Sequence, residues 1–348
     1  MGGYRGTFYY RGRLTLETLI INQEEVRSLL PMADCITAVR EALSALARGE
    51  GIQPLRHVMW LPERVGALGI MPGYLSSTGM IGVKTITVFP GNAGTEFDSH
   101  QGTVMLFDDE HGRLLAVIDA TEVTAIRTAA ASAVATDLLA RADASVVAIL
   151  GTGVQAGTHI TAMAEVRAVG EFRVWGRDQG RAAQLVESAA GSLEGEIKVV
   201  ETAAEAVAGA DIICTTTASR EPVLLGETLE PGMHINAVGS SVPFARELDA
   251  AAMAASRMFV DRRESTVNES GDFLMAKEEG AIDDSHIVAE IGEILIGKAG
   301  GRSGDDEITL FKSLGLAVED VAAGTLVYEK ALATGAGTSV EIGGARHG

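Results

Sequence analysis

Apolar positions keep two different rhythms along this chain. Up to about residue 120 they alternate with polar positions in short runs, and Gly, Pro and Asn-rich turns separate the runs. Alternation of that period predicts half-buried strands at 54–61, 81–89, 102–108 and 113–119, with Phe107-Asp-Asp-Glu-His-Gly112 as a hairpin connection. A helix precedes them: Pro31 opens it, Ile36, Val39, Leu43 and Leu46 keep helical spacing, and Gly49 and Gly51 close it. From about 121 the rhythm changes. An Ala-rich helix is expected to about 141, and then short apolar runs at 146–150, 171–175, 196–200, 211–216, 233–238 and 257–261 alternate with helical stretches. Thr202 and Glu205 have the spacing of a capping box at the start of one of these helices. A last helix is expected from Ala317 to Ala333, after which the Gly-rich tail Thr334–Gly348 is expected to be disordered.

The first rhythm implies an α+β unit with an antiparallel sheet, and the second a doubly wound parallel sheet of Rossmann type. The division expected is 14–120 plus 316–348 for the α+β domain and 121–315 for the Rossmann domain.

The first strand of the second block carries the clearest chemistry. Val146-Val-Ala-Ile-Leu150 runs into Gly151-x-Gly153-x-x-Ala156, and helix-forming residues follow. A buried strand, a tight glycine turn and a helix N-terminus together make a cradle for a pyrophosphate. Gly151 makes the turn, Gly153 lets the backbone approach the phosphates, and Ala156 lets helix and strand pack closely. A redox dinucleotide is therefore the expected cofactor.

Composition narrows the partners. Among 348 residues there are 28 Lys and Arg against 47 Asp and Glu, a formal net charge of −19. So acidic a chain is not expected to bind nucleic acid or an anionic membrane. No uninterrupted apolar run is long enough to cross a bilayer. Residues 1–13 hold Arg but no apolar core of a secretory signal, so they read as a floppy leader and the expected compartment is the cytoplasm. Cys35 and Cys214 fall in a helix and a strand and are expected as inert core thiols. His57, His111, His159 and His234 show no metal-ligand spacing, so no metal is assigned.

Three cations stand where apolar residues belong. Under strand alternation Lys84 shares a face with Ile86 and Val88, and Arg56 shares one with Val58 and Trp60. On the helix from 121, Arg127 falls inside the stripe Val123, Ile126, Ala130 and Val134, with Thr and Ser residues opposite. One such cation is ordinarily a side chain snorkelling at a core's rim. Three together, beside a dinucleotide fold, point to a substrate carboxylate as the partner that buried charge requires. Arginine grips a carboxylate through two parallel bonds, whereas lysine offers a point charge or a transferable proton.

At the end of the second parallel strand stand Arg177 and Asp178. An acidic residue there binds the adenosine ribose hydroxyls, whereas a cation pairs with a 2′-phosphate. Arg177 favours NADP(H). If the turn shifts by one residue Asp178 takes the ribose, and NAD(H) is the alternative.

Several blocks in order resemble the ornithine cyclodeaminase/mu-crystallin family from about residue 20 to 333: Gly82-Val-Lys-Thr, Asp98-Ser-His-Gln101, Thr124-Ala-Ile-Arg-Thr-Ala-Ala130, Gly151-Thr-Gly-Val-Gln155, Asn236-Ala-Val-Gly239, Arg246-Glu-Leu-Asp249, Glu269-Ser-Gly-Asp272 and Phe311-Lys-Ser-Leu-Gly315. The resemblance implies a homodimer joined through antiparallel sheets, and an active site between that domain and the Rossmann domain. It matches Arg56, Lys84 and Arg127 to substrate-carboxylate contacts, and Glu269 and Leu314 to the pocket lining. Ser99, His100, Thr128, Gly153, Val154, Gln155, Arg177 and Val238 match cofactor contacts. A loop histidine such as His100 is otherwise a hydrogen-bonding fixture more often than a catalyst.

In one place the chain departs from the ornithine cyclodeaminases. Where they carry an aspartate shortly after Asn-Ala-Val-Gly, this chain has Ser241. A serine hydroxyl cannot act as a carboxylate base; it hydrogen-bonds or positions water. Serine here resembles the mu-crystallin branch, whose activity is reduction of cyclic ketimines. The expected function is thus an NAD(P)H-dependent reductase of small cyclic imino acids. Arg56 and Arg127 would fix the carboxylate, Lys84 would protonate the ring nitrogen, and Ser241 would complete the catalytic set with Lys84 and Arg127. Ornithine cyclodeaminase or hydroxyproline dehydratase chemistry is the alternative enzyme reading, and a non-catalytic NADPH- or ligand-binding protein the alternative of another class.

Overall fold

The computed structural model describes residues 17–92 and 94–344. The leader expected at residues 1–13 lies outside them. The chain begins with strand β1 (Glu17–Ile21), helices α1 (Gln23–Leu29) and α2 (Met32–Ala47), and the short strands β2 (Gly51–Ile52) and β3 (His57–Trp60). Long strands β4 (Ala67–Leu75), β5 (Met80–Val88), β6 (His100–Asp108) and β7 (Leu114–Asp119) follow, then helix α3 (Ala120–Leu139). The expected hairpin joins β6 and β7, with Asp108 Oδ1 accepting from the His111 N–H at 2.6 Å. β4 was not expected. Gly69, Pro72 and Gly73 break its alternation in the sequence, yet Gly73 is where a helix packs closely on this strand: a Cβ there would lie 3.0 Å from that of Ala317.

The second block opens with β8 (Val146–Leu150), α4 (Val154–Val166), β9 (Glu171–Trp175), α5 (Gln179–Ala190), β10 (Glu196–Val199) and α6 (Ala203–Val207). It continues through β11 (Ile212–Thr215), β12 (His234–Ala237), α7 (Ala250–Ala255), β13 (Arg257–Val260), α8 (Arg263–Glu269), α9 (Gly271–Glu278), β14 (Ile287–Glu290), α10 (Ile291–Leu295) and β15 (Thr309–Lys312). Thr202 caps α6 as expected, but the Glu205 carboxylate reaches back to the Glu201 N–H rather than to Thr202, so only half the box forms. Helix α11 (Ala317–Thr334) and strand β16 (Thr338–Glu341) return to the first sheet.

That return corrects the expectation of a disordered tail. Gly335, at φ +74°, caps α11, and Thr338–Glu341 pair antiparallel with β1. Glycines read as a sign of disorder are here the turn that an edge strand needs.

Two eight-stranded sheets result. The first has the order β16-β1-β7-β6-β5-β4-β2, with β3 also on β4. The second, β10-β9-β8-β11-β12-β15-β13-β14, is parallel throughout. Its order reverses between β8 and β11, and ligands of open parallel sheets bind outside the strand ends at such a point.

Helix α3 packs on α2 and α11 on one side and α4 on the other. The expectation that its Ser and Thr face lies opposite a buried stripe is therefore only half right. Ser132 and Thr136 are fully buried too, because the helix is sandwiched and both sides need partners. Thr136 Oγ1 accepts from Asn236 Nδ2 at 2.9 Å, and Ser132 Oγ bonds His159 Nε2 at 2.9 Å. Cys35 and Cys214 are buried and unpaired, and burial pushes both thiols up to about 12, which makes them inert.

His159 Nδ1 lies 2.7 Å from the Gln155 carbonyl, so Nδ1–H donates and Nε2 accepts from Ser132. Burial holds this imidazole neutral down to about 4. The unfolded chain takes up a proton at this site below about 6.5, whereas the folded protein does not, so stability is lost as pH falls through that window. His159→Gln removes the site: between pH 7 and 5 the variant's stability should fall less than the parent's, by up to about 2 kcal/mol. Parallel pH–stability curves in chemical denaturation would show that His159 titrates in the folded state.

Candidate active site

At the switch point the glycine turn is forced by its surroundings. Gly151 sits at φ +135°, and a Cβ on it would lie 2.5 Å from Thr216 Oγ1 on the strand end next door. Only glycine fits both the backbone and the space. Gly153, at the N-terminus of α4, faces open space, and Ala156 is fully buried against the strand. This backbone cradle is open where a pyrophosphate would lie, so the residues fit a dinucleotide.

Beyond it a cavity of about 300 Å³ is lined by Gly151, Gly153, Trp175, Arg177, Asp178 and Arg181. Asp178 is already in use: its carboxylate caps α5 by accepting from the Arg181 N–H at 3.1 Å. Arg177 is exposed and its side chain has no hydrogen bond or ion pair among the described residues.

The main cleft, about 340 Å³, lies between the two sheets and shares Gly153 with that cavity. Arg56, Lys84 and Arg127 all line it, as do Ser241 and Leu314. Of the residues matched to a cofactor, Ser99, His100, Thr128, Val154, Gln155 and Val238 line it as well. Glu269 does not; it stands behind Arg56, whose Nε it holds at 2.9 Å. Met71, Ile86 and Val88 form an apolar wall.

The three cations are not waiting for a partner, contrary to expectation. Lys84 Nζ lies 2.8 Å from Asp320 Oδ2, and Arg127 Nε lies 2.8 Å from the other oxygen of the same carboxylate. Arg127 also holds Glu319 at 2.9 Å. Both acids sit in the first turn of α11, where carboxylates suit the helix dipole, and all four side chains are 4% exposed or less. The sequence signal was two adjacent acids in an otherwise Ala- and Val-rich helix, which reading by periodicity alone passed over.

Arg56 helps to build the wall. Its Nη2 donates to the Leu314 and Gly315 carbonyls at 2.7 and 3.0 Å, while Asp261 Oδ2 accepts from both N–H groups of the same pair at 2.6 and 2.7 Å. Gly315, at φ +79°, lies against the Arg127 guanidinium, where any Cβ would collide. The turn thereby presents two guanidiniums and the Leu314 side chain to one cleft.

Electrostatics follow from this crowding. Burial, helped by Arg127, pulls the Lys84 ammonium down to about 8, against the upward pull of Asp320. Burial pushes Glu319 up to about 7 despite Arg127, and His100 is held below its ordinary value by desolvation and the charge of Lys84. A lysine near 8 can give up a proton at physiological pH without losing most of its charge.

Under the cleft floor lies a second set of charges, drawn from the Phe311–Gly315, Glu269–Asp272 and Arg246–Asp249 blocks. Lys312 Nζ, fully buried, donates to the Ser240 carbonyl at 2.6 Å and pairs with Asp272 at 2.9 Å. Asp272 accepts from the Glu247 and Leu248 N–H groups. Glu247 in turn takes Thr215 Oγ1, Thr217 Oγ1 and the N–H groups of Thr217 and Gly239. These bonds pin the loops after β11 and β12, which carry Thr217, Val238 and Ser241 into the cleft.

A Rossmann sheet, a glycine cradle at its switch point and a cleft joining that cradle to a buried lysine define an NAD(P)-dependent oxidoreductase. The profile of the ornithine cyclodeaminase/mu-crystallin family matches residues 16–335. This chain belongs to the ornithine cyclodeaminase/mu-crystallin family. It is 40% identical over 313 residues to ketimine reductase mu-crystallin of Mus musculus, covering 89% of this chain and 96% of that one. Among solved structures, Δ1-pyrroline-2-carboxylate reductase of Thermococcus litoralis in complex with NADH and L-proline superposes with a TM-score of 0.91 at 39% identity, over 93% of this chain and all of that one. An archaeal alanine dehydrogenase dimer with bound NAD gives a TM-score of 0.89 at 35% identity, over 94% of this chain and 99% of that one.

Proposed function

We propose that this protein reduces small cyclic imines that carry a carboxylate on the imine carbon, of the Δ1-pyrroline-2-carboxylate or Δ1-piperideine-2-carboxylate type. The observation that carries this reading is Lys84, buried and held by Asp320, in the cleft that the glycine turn enters. Bound NAD(P)H supplies a hydride to the imine carbon. Arg127 and Arg56 hold the substrate carboxylate, the wall of Met71, Ile86 and Val88 takes the apolar ring, and Lys84 delivers a proton to the ring nitrogen. Ser241 hydrogen-bonds or orients water, since its hydroxyl cannot serve as a base. The names of the relatives, a ketimine reductase and a pyrroline-2-carboxylate reductase, support the same chemistry.

A panel of cyclic imino acids read by loss of coenzyme absorbance tests the assignment. Ammonia released from ornithine, with no net change in that absorbance, would mark the cyclodeaminase reaction instead.

NADP(H) is the coenzyme we favour, because Arg177 is exposed beside the second cavity without an internal partner and Asp178 is committed to capping α5. The two solved relatives carry NADH and NAD, so NAD(H) stays the alternative. Arg177→Ala should raise the KM for NADPH at least tenfold and leave that for NADH nearly unchanged. Equal changes for both coenzymes would remove the residue's assigned role.

The face of the first sheet turned away from α11 exposes Met59, Ile70 and Ile81 at 50%, 37% and 40%. A contiguous apolar face of this kind suits a second copy of the chain, and we assign a homodimer through it. Light scattering should give the mass of two chains; the mass of one overturns the assignment. Among the described residues, no helix is long and apolar enough to cross a membrane.

A further inference from the structure

The carboxylate of Asp320 is where three separate elements meet. It comes from the first turn of α11 and is 1% exposed. Lys84 arrives from β5, with Nζ at 2.8 Å from Oδ2 and 3.0 Å from Oδ1; Arg127 arrives from α3, with Nε at 2.8 Å from Oδ1. Because Arg127 spends Nε on Asp320 and Nη1 on Glu319, its orientation is set by these two acids before any ligand arrives. We infer that Asp320 is a positioning residue for proton delivery: it fixes the Lys84 ammonium at the cleft wall, supplies the negative charge that opposes the two arginines and orients Arg127 beside it. The inference rests on the reading that Lys84 protonates the imine nitrogen.

The charges around Lys84 explain why such a residue is needed. From α3 it faces Arg127 and the Thr124 hydroxyl at 3.4 Å; Arg56 acts on it from the chain ahead of β3, and His100 from β6. On α11, Glu319 neighbours Asp320 but spends its bond on Arg127. Burial and both arginines favour the neutral amine, and Asp320 is the acid that opposes them. In the transfer a Lys84 N–H bond breaks, an N–H bond forms on the ring nitrogen as the carbon gains its hydride, and Lys84 is left a neutral amine. Asp320 keeps its contact with Arg127 throughout. A buried ion pair is a poor source of stability compared with apolar packing, so stability alone does not account for the arrangement.

The test is the pH dependence of kcat/KM with one imino acid, so that titration of the substrate is common to all variants. Asp320→Asn keeps the shape and an accepting oxygen but removes the charge. Activity lost as pH rises, through deprotonation of Lys84, should then be lost at a pH lower by about one unit or more. The variant's deficit at pH 8.5 should accordingly exceed its deficit at pH 6 by about tenfold. Asp320→Glu retains the charge at the wrong reach and should keep the parent's pH limb with reduced kcat. A deficit in Asp320→Asn that is equal at every pH overturns the inference, as does a shifted limb in Asp320→Glu, which also serves if the Asn variant does not fold. Near-normal turnover in Lys84→Met overturns the proton-donor reading itself. An inactive Lys84→Met beside an unshifted Asp320→Asn overturns only the role of Asp320.

Discussion

Lys84→Met is expected to lower kcat by about 10²–10⁴, the range for loss of a positioned general acid, with coenzyme binding unchanged. The coenzyme cradle is built from Gly151, Gly153 and the start of α4, none of which touches Lys84, so titration by coenzyme fluorescence should give the parent's Kd. Folding should survive. Methionine has a similar length, and Arg127 continues to neutralise Asp320, so the change does not strand a buried charge. The loss should also be insensitive to substrate concentration, since an interaction made only as the proton moves lowers kcat rather than raising KM. A variant that binds coenzyme, melts near the parent's Tm and still turns over at more than a tenth of its rate would remove Lys84 from the chemistry.

Lys312→Met should produce the largest loss of stability, because it leaves Asp272 buried and unpaired and strips the Ser240 carbonyl of its donor. Breaking a buried pair from one side costs about 3–5 kcal/mol. Thermal melting should fall by on the order of 10 °C, by the usual conversion for a domain of a few hundred residues. Removing both charges, Lys312→Met with Asp272→Leu, should recover part of that loss, since no orphan charge then remains. A single variant as stable as the parent would mean that Asp272 finds another partner or that water reaches the site.

Much of the site could be read from sequence because the relevant rules are local. The glycine turn was legible because φ and space at Gly151 are dictated within one strand–turn–helix unit. Strand alternation placed Lys84 on the buried face of β5 correctly, and helical spacing did the same for Arg127. Other features depended on elements far apart in sequence. Strand β4 is not legible in the sequence because Gly69 and Gly73 look like turns, and only the packing of α11 shows that it needs close approach at Gly73. The tail reads as disorder because nothing local announces that β1 offers an open edge.

By itself, the sequence determined six of the eight strands of the parallel sheet, β14 and β15 being unforeseen, where a dinucleotide would meet them, and that Lys84 and Arg127 sit on buried faces. Arg56, expected on a strand face with Val58 and Trp60, lies just ahead of β3 and is only partly buried. Periodicity reports the direction in which a side chain points, and that is a property of a single element. What those cations point at was decided only in three dimensions: Asp320 and Glu319 come from a helix at the far end of the chain, and a charge's partner is set by which elements pack together. Tertiary structure therefore settled that the cleft is built of paired charges rather than bare ones, because desolvation makes an unpaired buried cation too costly to keep.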